Sequence, residues 1–311
     1  MLARVAENIY WMARYLERAE DLARLINVNA HLALDLPKGL APIWGQLIAI
    51  SGAQSLYSKS DYDERSVLQF LICEAGSPVS MLSCIACARE NARTIRDVIP
   101  RELWESINAC YLYAHEHAAL ALSKRARFGF LNDIIRQCQT LNGILSGTMS
   151  RDSGYIFLRV GRYLERADMT SRIVDVRSAN LVPGEASATY DNLQWMSVLS
   201  SLTGYQMYRR EMQIRVRRAA VLRFLFQSRD FPRSLTFCIN AVQDALLPLN
   251  DPSPAASVLE RIGQQLDCAR VDALQQTELQ EFVDQLQIGF AQVHDELQRI
   301  YFSGLGDAAP A

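Results

Sequence analysis

Arg14-Tyr15-Leu16-Glu17-Arg18-Ala19 returns 148 residues later as Arg162-Tyr163-Leu164-Glu165-Arg166-Ala167. Six consecutive identities at one spacing mark a duplication, which has to be read before any single motif is weighed. Arg24 and Arg172 extend the match at the same spacing. Further along, Val67-Leu68 with Phe70-Leu71 returns as Val221-Leu222 with Phe224-Leu225. Pro78, Ser80 and Cys84-Ile85 return as Pro232, Ser234 and Cys238-Ile239, now 154 residues apart. The order of matches is kept, Trp44 corresponds roughly to Trp195, and a few residues' difference in length between the copies accounts for the changed spacing. The expected architecture is all-α, with two tandem six-helix repeats, residues 1–150 and 151–311, packed into one helical bundle-like protein.

The helical reading rests on periodicity. Leu2, Val5, Ile9, Met12, Leu16, Ala19, Ala23 and Ile26 recur three and four apart, the seam of a long helix that Pro37 and Gly39 end. Helical patterns follow at about 43–58 and 62–74, and Ser77-Pro78 offers an N-cap and first-turn proline for a helix to about Val98. Pro100 starts a fifth helix to about Ser123, a sixth covers about 129–147, and residues 150–154 break the pattern. No period-two strand stands out, and Pro248 to Pro254 reads as a loop between helices.

The 311 residues are 50% hydrophobic, enough for a sizeable core. With 32 basic against 34 acidic residues, bulk charge selects neither nucleic acid nor an anionic membrane as partner. No stretch approaches the roughly eighteen apolar residues that cross a bilayer. The opening carries Arg4 and Glu7 in an amphipathic pattern, unlike a signal peptide, so a soluble, cytoplasmic protein is expected. Seven scattered cysteines suit reduced, packed thiols, and the lone Cys84-x-x-Cys87 pair, on a helical pattern, is a weak metal or redox signal.

On the first helix Tyr10, Arg14, Glu17, Arg18, Asp21 and Arg24 fall opposite the seam. One reading is a solvated face laced by pairs such as Arg14 with Glu17, Arg18 with Asp21 and Glu20 with Arg24, each contributing a few tenths of a kcal/mol. The other is functional, because the charges recur as Arg162, Glu165, Arg166 and Arg172. Two copies packed about a pseudo-two-fold axis would bring both Glu-Arg elements to one cleft or partner surface. Arginine's planar fork suits carboxylate or phosphate, and glutamate can hold that fork or accept a proton.

A second cluster, Arg89, Glu90, Asn91 and Arg93, has lost its basic residues in the second copy, so any site using it is asymmetric. His115 and His117 stand about 200° apart on a helix and do not share a metal. No metal site, H-E-x-x-H, G-x-S-x-G, P-loop or Rossmann glycine pattern is found. The most basic stretch, from Tyr208 through Arg215, Arg217 and Arg218 to Arg223, fits either a docking site for a phosphate-rich or acidic partner or one amphipathic helix with a solvated side.

Ala6-Glu7-Asn8-Ile9-Tyr10-Trp11, the two Arg-Tyr-Leu-Glu-Arg-Ala stretches, Ala88-Arg89-Glu90-Asn91-Ala92-Arg93 and Phe231-Pro232-Arg233-Ser234 together resemble the alpha-E family over about residues 1–300. That resemblance implies a bacterial, cytoplasmic helical protein that works beside, and is sometimes fused to, a circularly permuted ATP-grasp ligase, often near a transglutaminase-like peptidase. The setting suggests peptide or amide-bond synthesis. ATP and Mg would enter through the ligase, with no cofactor bound directly. The family's Glu-Arg positions fall on Glu17, Arg18, Glu165 and Arg166.

Three functions follow as expectations. The first is an accessory subunit that binds the ligase or a carboxylate- or phosphate-bearing substrate through the duplicated Arg/Glu face. The second is an enzyme of amide or peptide chemistry with Glu17 or Glu165 as general base, which a buried, paired Glu-Arg cluster would favour. The third is a scaffold that recognises a protein through the basic stretch near Arg215.

Overall fold

Residues 1–35, 43–179, 187–212, 215–249 and 254–303 are described by a computed structural model, and among them every regular element is a helix. The first half holds α1 (Ala3–Asp35), α2 (Ile43–Ile50), α3 (Glu64–Leu68), α4 (Met81–Thr94), α5 (Arg101–His117) and α6 (Arg127–Thr148). The second holds α7 (Ser153–Ala179), α8 (Ser187–Ser201), α9 (Tyr205–Met212), α10 (Arg218–Gln227), α11 (Leu235–Leu246), α12 (Pro254–Cys268) and α13 (Gln276–Leu297). The all-α class therefore stands. Among the described residues the first half holds six α-helices and the second seven, with the basic stretch divided between α9 and α10.

Several boundaries move for local reasons. α2 stops at Ile50 rather than near residue 58, because Gly52 takes φ 68° while Ala53 N donates to Ile48 O and Gly52 N to Ala49 O, both at 3.0 Å. That pair of bonds is a glycine-terminated helix stop. α4 is capped by Ser80, not Ser77: the Ser80 side chain accepts from Ser83 N at 3.2 Å, and Ile95 leaves helical geometry at φ −118°, ψ 22°. Pro37 and Gly39, expected to end α1, and residues 250–253 of the expected Pro248–Pro254 loop lie outside the described residues.

The chain divides into two compact units that interleave along the sequence: Met1–Arg14 with Ser150–Ala179 and Gln206–Ala311, and Tyr15–Met149 with Asn180–Tyr205. The halves 1–150 and 151–311 are a different partition. In the first unit α7 packs on α11 and α13, α11 on α12, and α12 on α13. The start of α1 meets α7 closely there, since a Cβ on Gly161 would lie 2.4 Å from the Tyr10 carbonyl oxygen and 3.3 Å from Ala13 Cβ. Only glycine permits that approach. Ile9, Phe157, Leu158, Leu164, Phe224 and Phe290 are buried in this unit.

In the second unit α5 packs on α4 and on α6, and Leu22, Ile26, Leu71, Ile85, Leu103, Ile107 and Leu131 are buried. Arg127, nearly fully buried, ties the start of α6 to α3 by donating to Glu64 Oε1 at 2.6 Å and to Ala121 O at 2.8 Å. Among the described residues no helix is long and apolar enough to cross a membrane.

Candidate functional site

α1 and α7 each carry one copy of the repeated stretch, and one contact between them joins the copies. Arg14 Nε donates to Glu165 Oε2 at 2.6 Å, with the two side chains 11% and 2% exposed. Arg14 Nη1 also donates to the Tyr10 hydroxyl at 3.0 Å, and its guanidinium lies 5.1 Å from the Trp11 ring centre. The Tyr10 hydroxyl is 3.0 Å from His294 Nδ1 on α13, and the two rings stack. Because arginine can only donate, the hydroxyl accepts from Arg14, while the imidazole tautomer sets which atom donates in its bond with Nδ1. Burial first, and the Arg14 charge second, push the His294 pKa below its ordinary 6.5, against the opposing pull of Asp295 and Glu165.

The carboxylates of the charged face are packed rather than solvated. Glu17, Glu20, Asp21 and Glu165 are all buried, and the arginine expected to pair with Glu17 reaches Glu165 on the other copy. The apolar seam covers one side of α1, and packing covers the charged side as well. Of the expected pairs, Glu20 with Arg24 is formed: Arg24 Nε and Nη2 both donate to Glu20 Oε1, at 2.9 and 2.7 Å. Asn142 Nδ2 adds a longer bond to Oε2 at 3.4 Å.

The two copies adopt matching local contacts. Arg172 Nε donates to Asp168 Oδ2 at 2.9 Å, four residues back, as Arg24 does to Glu20. Arg18 stands 5.7 Å from the Tyr15 ring centre and Arg166 stands 5.4 Å from that of Tyr163. Arg166 Nη1 also reaches Pro232 O at 3.3 Å. Ser234 caps α11 as Ser80 caps α4, and Cys84 and Cys238 direct their thiols to Pro78 O and Pro232 O at 3.9 and 3.6 Å. Arg162 is half-buried on α7. In the second unit, Cys110, burial, Glu20 and Glu17 together hold the Cys138 thiol well above its usual pKa, consistent with a packed, protonated thiol.

Arg89, Glu90 and Arg93 form a separate cluster on α4 and α5. Arg89 Nε donates to Asn108 Oδ1 at 2.7 Å and Nη1 to Glu90 Oε1 at 2.8 Å, and the guanidinium lies 4.7 Å from the Tyr111 ring centre. Arg93 Nε donates to Glu90 Oε2 at 2.8 Å, so its two arginines hold the Glu90 carboxyl below its ordinary pKa, Arg93 contributing most. Asn91 is half-buried beside them. His117 bonds the Tyr113 carbonyl through Nδ1 at 3.0 Å and stacks on that ring, while His115 leans on Tyr111.

Tyr10 is legible in the sequence as part of the charged face, whereas His294 is not. A lone histidine on α13, 284 residues from its partner, carries no local signal in the sequence.

Residues 1–302 match the model of the Alpha-E family, described as "a predicted alpha-helical domain with a conserved ER motif". Curated relatives include an uncharacterized protein of Mycobacterium bovis and uncharacterized proteins of two Mycobacterium tuberculosis strains. Each is 24% identical over 268 residues, covering 79% of this chain and 30% of the relative. The chain thus spans about a third of the length of these relatives. No solved structure is significantly similar to it.

Proposed function

The chain belongs to the Alpha-E family, and on that premise we propose that it is a bacterial, cytoplasmic accessory protein of a circularly permuted ATP-grasp ligase. It binds the ligase, its carboxylate- or phosphate-bearing substrate, or both. ATP and Mg belong to the ligase, and a transglutaminase-like peptidase is a further partner in the same setting. The observation that carries the reading is the Arg14–Glu165 contact: the carboxylate of one motif copy is buried and engaged by the arginine of the other. Engaged by the Arg14 guanidinium at 2.6 Å, the Glu165 carboxylate serves as a strut that orients the arginine-bearing helices. The relatives' chains continue well beyond the matched part, as expected of a module that works joined to other domains.

A second reading is an enzyme of amide or peptide chemistry. The buried, paired Glu-Arg cluster favours it, as does the neutral His294, held against Tyr10, which would replace Glu165 as base. Glu17, equally buried in the second unit, is the remaining carboxylate candidate for the base. The two readings separate in one experiment. Ligation by the cognate ATP-grasp protein is measured with and without this chain, and the chain is assayed alone on the same substrates. Stimulation that needs the ligase supports the accessory role, and turnover by the isolated chain supports the enzyme.

A further inference from the structure

The basic stretch after Tyr205 borders a surface cleft in the first unit that the Glu-Arg motifs do not use. One lobe, about 400 Å³, is lined by Met207, Phe231 and Pro232 together with Arg210, Glu211 and Asp230. A second lobe, about 540 Å³, shares Glu211 and Asp230 and adds Arg223, Arg229 and Asp267. Both volumes lie in the range of small-molecule sites, roughly 300–1,000 Å³.

The order of chemistry along the cleft is specific. Met207, Phe231 and Pro232 line the first lobe alone, Arg223 and Arg229 the second alone, where Met212 and Asp267 join them, and Glu211 and Asp230 line both. An α-amino acid presents the same order, with its side chain and its carboxylate on either side of a carbon that carries the ammonium. Arg210 can lay its aliphatic stem along the apolar lobe and keep its charge in water.

The charges are also available. Arg223 and Asp230 form no ion pair with a described residue, and Arg229 meets Asp267 only at 3.7 Å with both side chains largely exposed. Glu211 is held in place by a hydrogen bond from Ser228 Oγ at 3.1 Å.

We infer that this cleft binds an α-amino acid with an apolar side chain and free amino and carboxyl groups. Arg223 and Arg229 take the carboxylate, Asp230 and Glu211 the ammonium, and Phe231, Pro232 and Met207 the side chain. This rests on the accessory reading for its purpose, namely supply of a substrate to an amide ligase. Its test uses this chain alone, so failure to bind a ligase leaves it standing.

Calorimetric titration of the full chain with L-leucine, L-leucinamide, N-acetyl-L-leucine and inorganic phosphate tests it. Leucine is expected to saturate one site, with the amide and the N-acetyl compound each weaker by about tenfold or more. Arg223→Gln/Arg229→Gln is expected to weaken leucine by a similar factor and leave leucinamide unchanged. Asp230→Asn should weaken leucine and leave N-acetyl-leucine unchanged. Thermal melts matching the wild type show that these surface variants fold. Failure of leucine to saturate, phosphate competing at equal affinity, or indifference of leucine binding to both variants overturns the assignment.

Discussion

Gly161 on α7 faces the main-chain carbonyl of Tyr10 so closely that a methyl group in place of its hydrogen would sit 2.4 Å from the oxygen. The contact brings the first motif's helix onto the second's within one unit and puts Arg14 in reach of Glu165. Gly161→Ala gains about 1 kcal/mol of helix propensity. It must also displace backbone, and overpacking of this kind costs about 1–3 kcal/mol or more. The net expectation is a lower midpoint in urea unfolding. An unchanged or raised midpoint would mean that the helices do not approach here.

The Arg14–Glu165 pair is expected to behave as a buried, coupled unit. Arg14→Met and Glu165→Gln each strand a partner and should cost about 3–5 kcal/mol. The double variant should cost less than the two single losses added together, by about 1–3 kcal/mol. Additive losses in the denaturation cycle would show that the two side chains act independently. The same cycle tells whether Glu165→Gln fails in an activity assay through chemistry or through unfolding.

His294 gives the first unit a pH dependence of predictable sign. Its folded pKa lies below the unfolded 6.5, so the unfolded chain takes up the proton first as the pH falls. Stability contributed by the neutral ring is therefore complete above pH 6.5 and is lost as the pH falls from there through the folded pKa. Melting temperatures followed downward from neutral pH should show this loss, and His294→Gln should flatten it. A slope unchanged in the variant would place the titration elsewhere.

The two serine caps occupy equivalent positions but carry unequal loads. Ser80→Ala removes the bond to Ser83 N and should cost about 1 kcal/mol. Ser234→Ala removes the bond to Phe237 N and also the one its hydroxyl donates to Ser228 O, adding about another 1 kcal/mol. Equal losses in parallel melts would show that the second bond contributes nothing.

What the sequence revealed and what it hid follow from the range of the interactions. The seam Leu16, Ala19, Ala23 and Ile26 placed α1, because periodicity is local and burial of one side follows from it. The i,i+4 pair of Arg24 with Glu20 was legible for the same reason. The cross-helix partner of Arg14 was not: Glu165 comes from another helix, 151 residues away, where no spacing signal reaches. Ser77 looked like the α4 cap because a proline follows it, yet Ser80 has the extended backbone that lets its side chain accept from Ser83 N. The duplication drew attention to Arg14 and Glu165, one from each copy, which meet, but a single histidine on α13 had no repeat to betray it.

The most direct test is ligation by the cognate ATP-grasp protein with wild-type chain, Glu17→Gln and Glu165→Gln, each variant first shown to be folded. The account predicts that wild type binds the ligase and raises its turnover, that the isolated chain has no turnover of its own, and that folded variants still bind but stimulate less. A wild-type chain that neither binds the ligase nor changes its rate would contradict it.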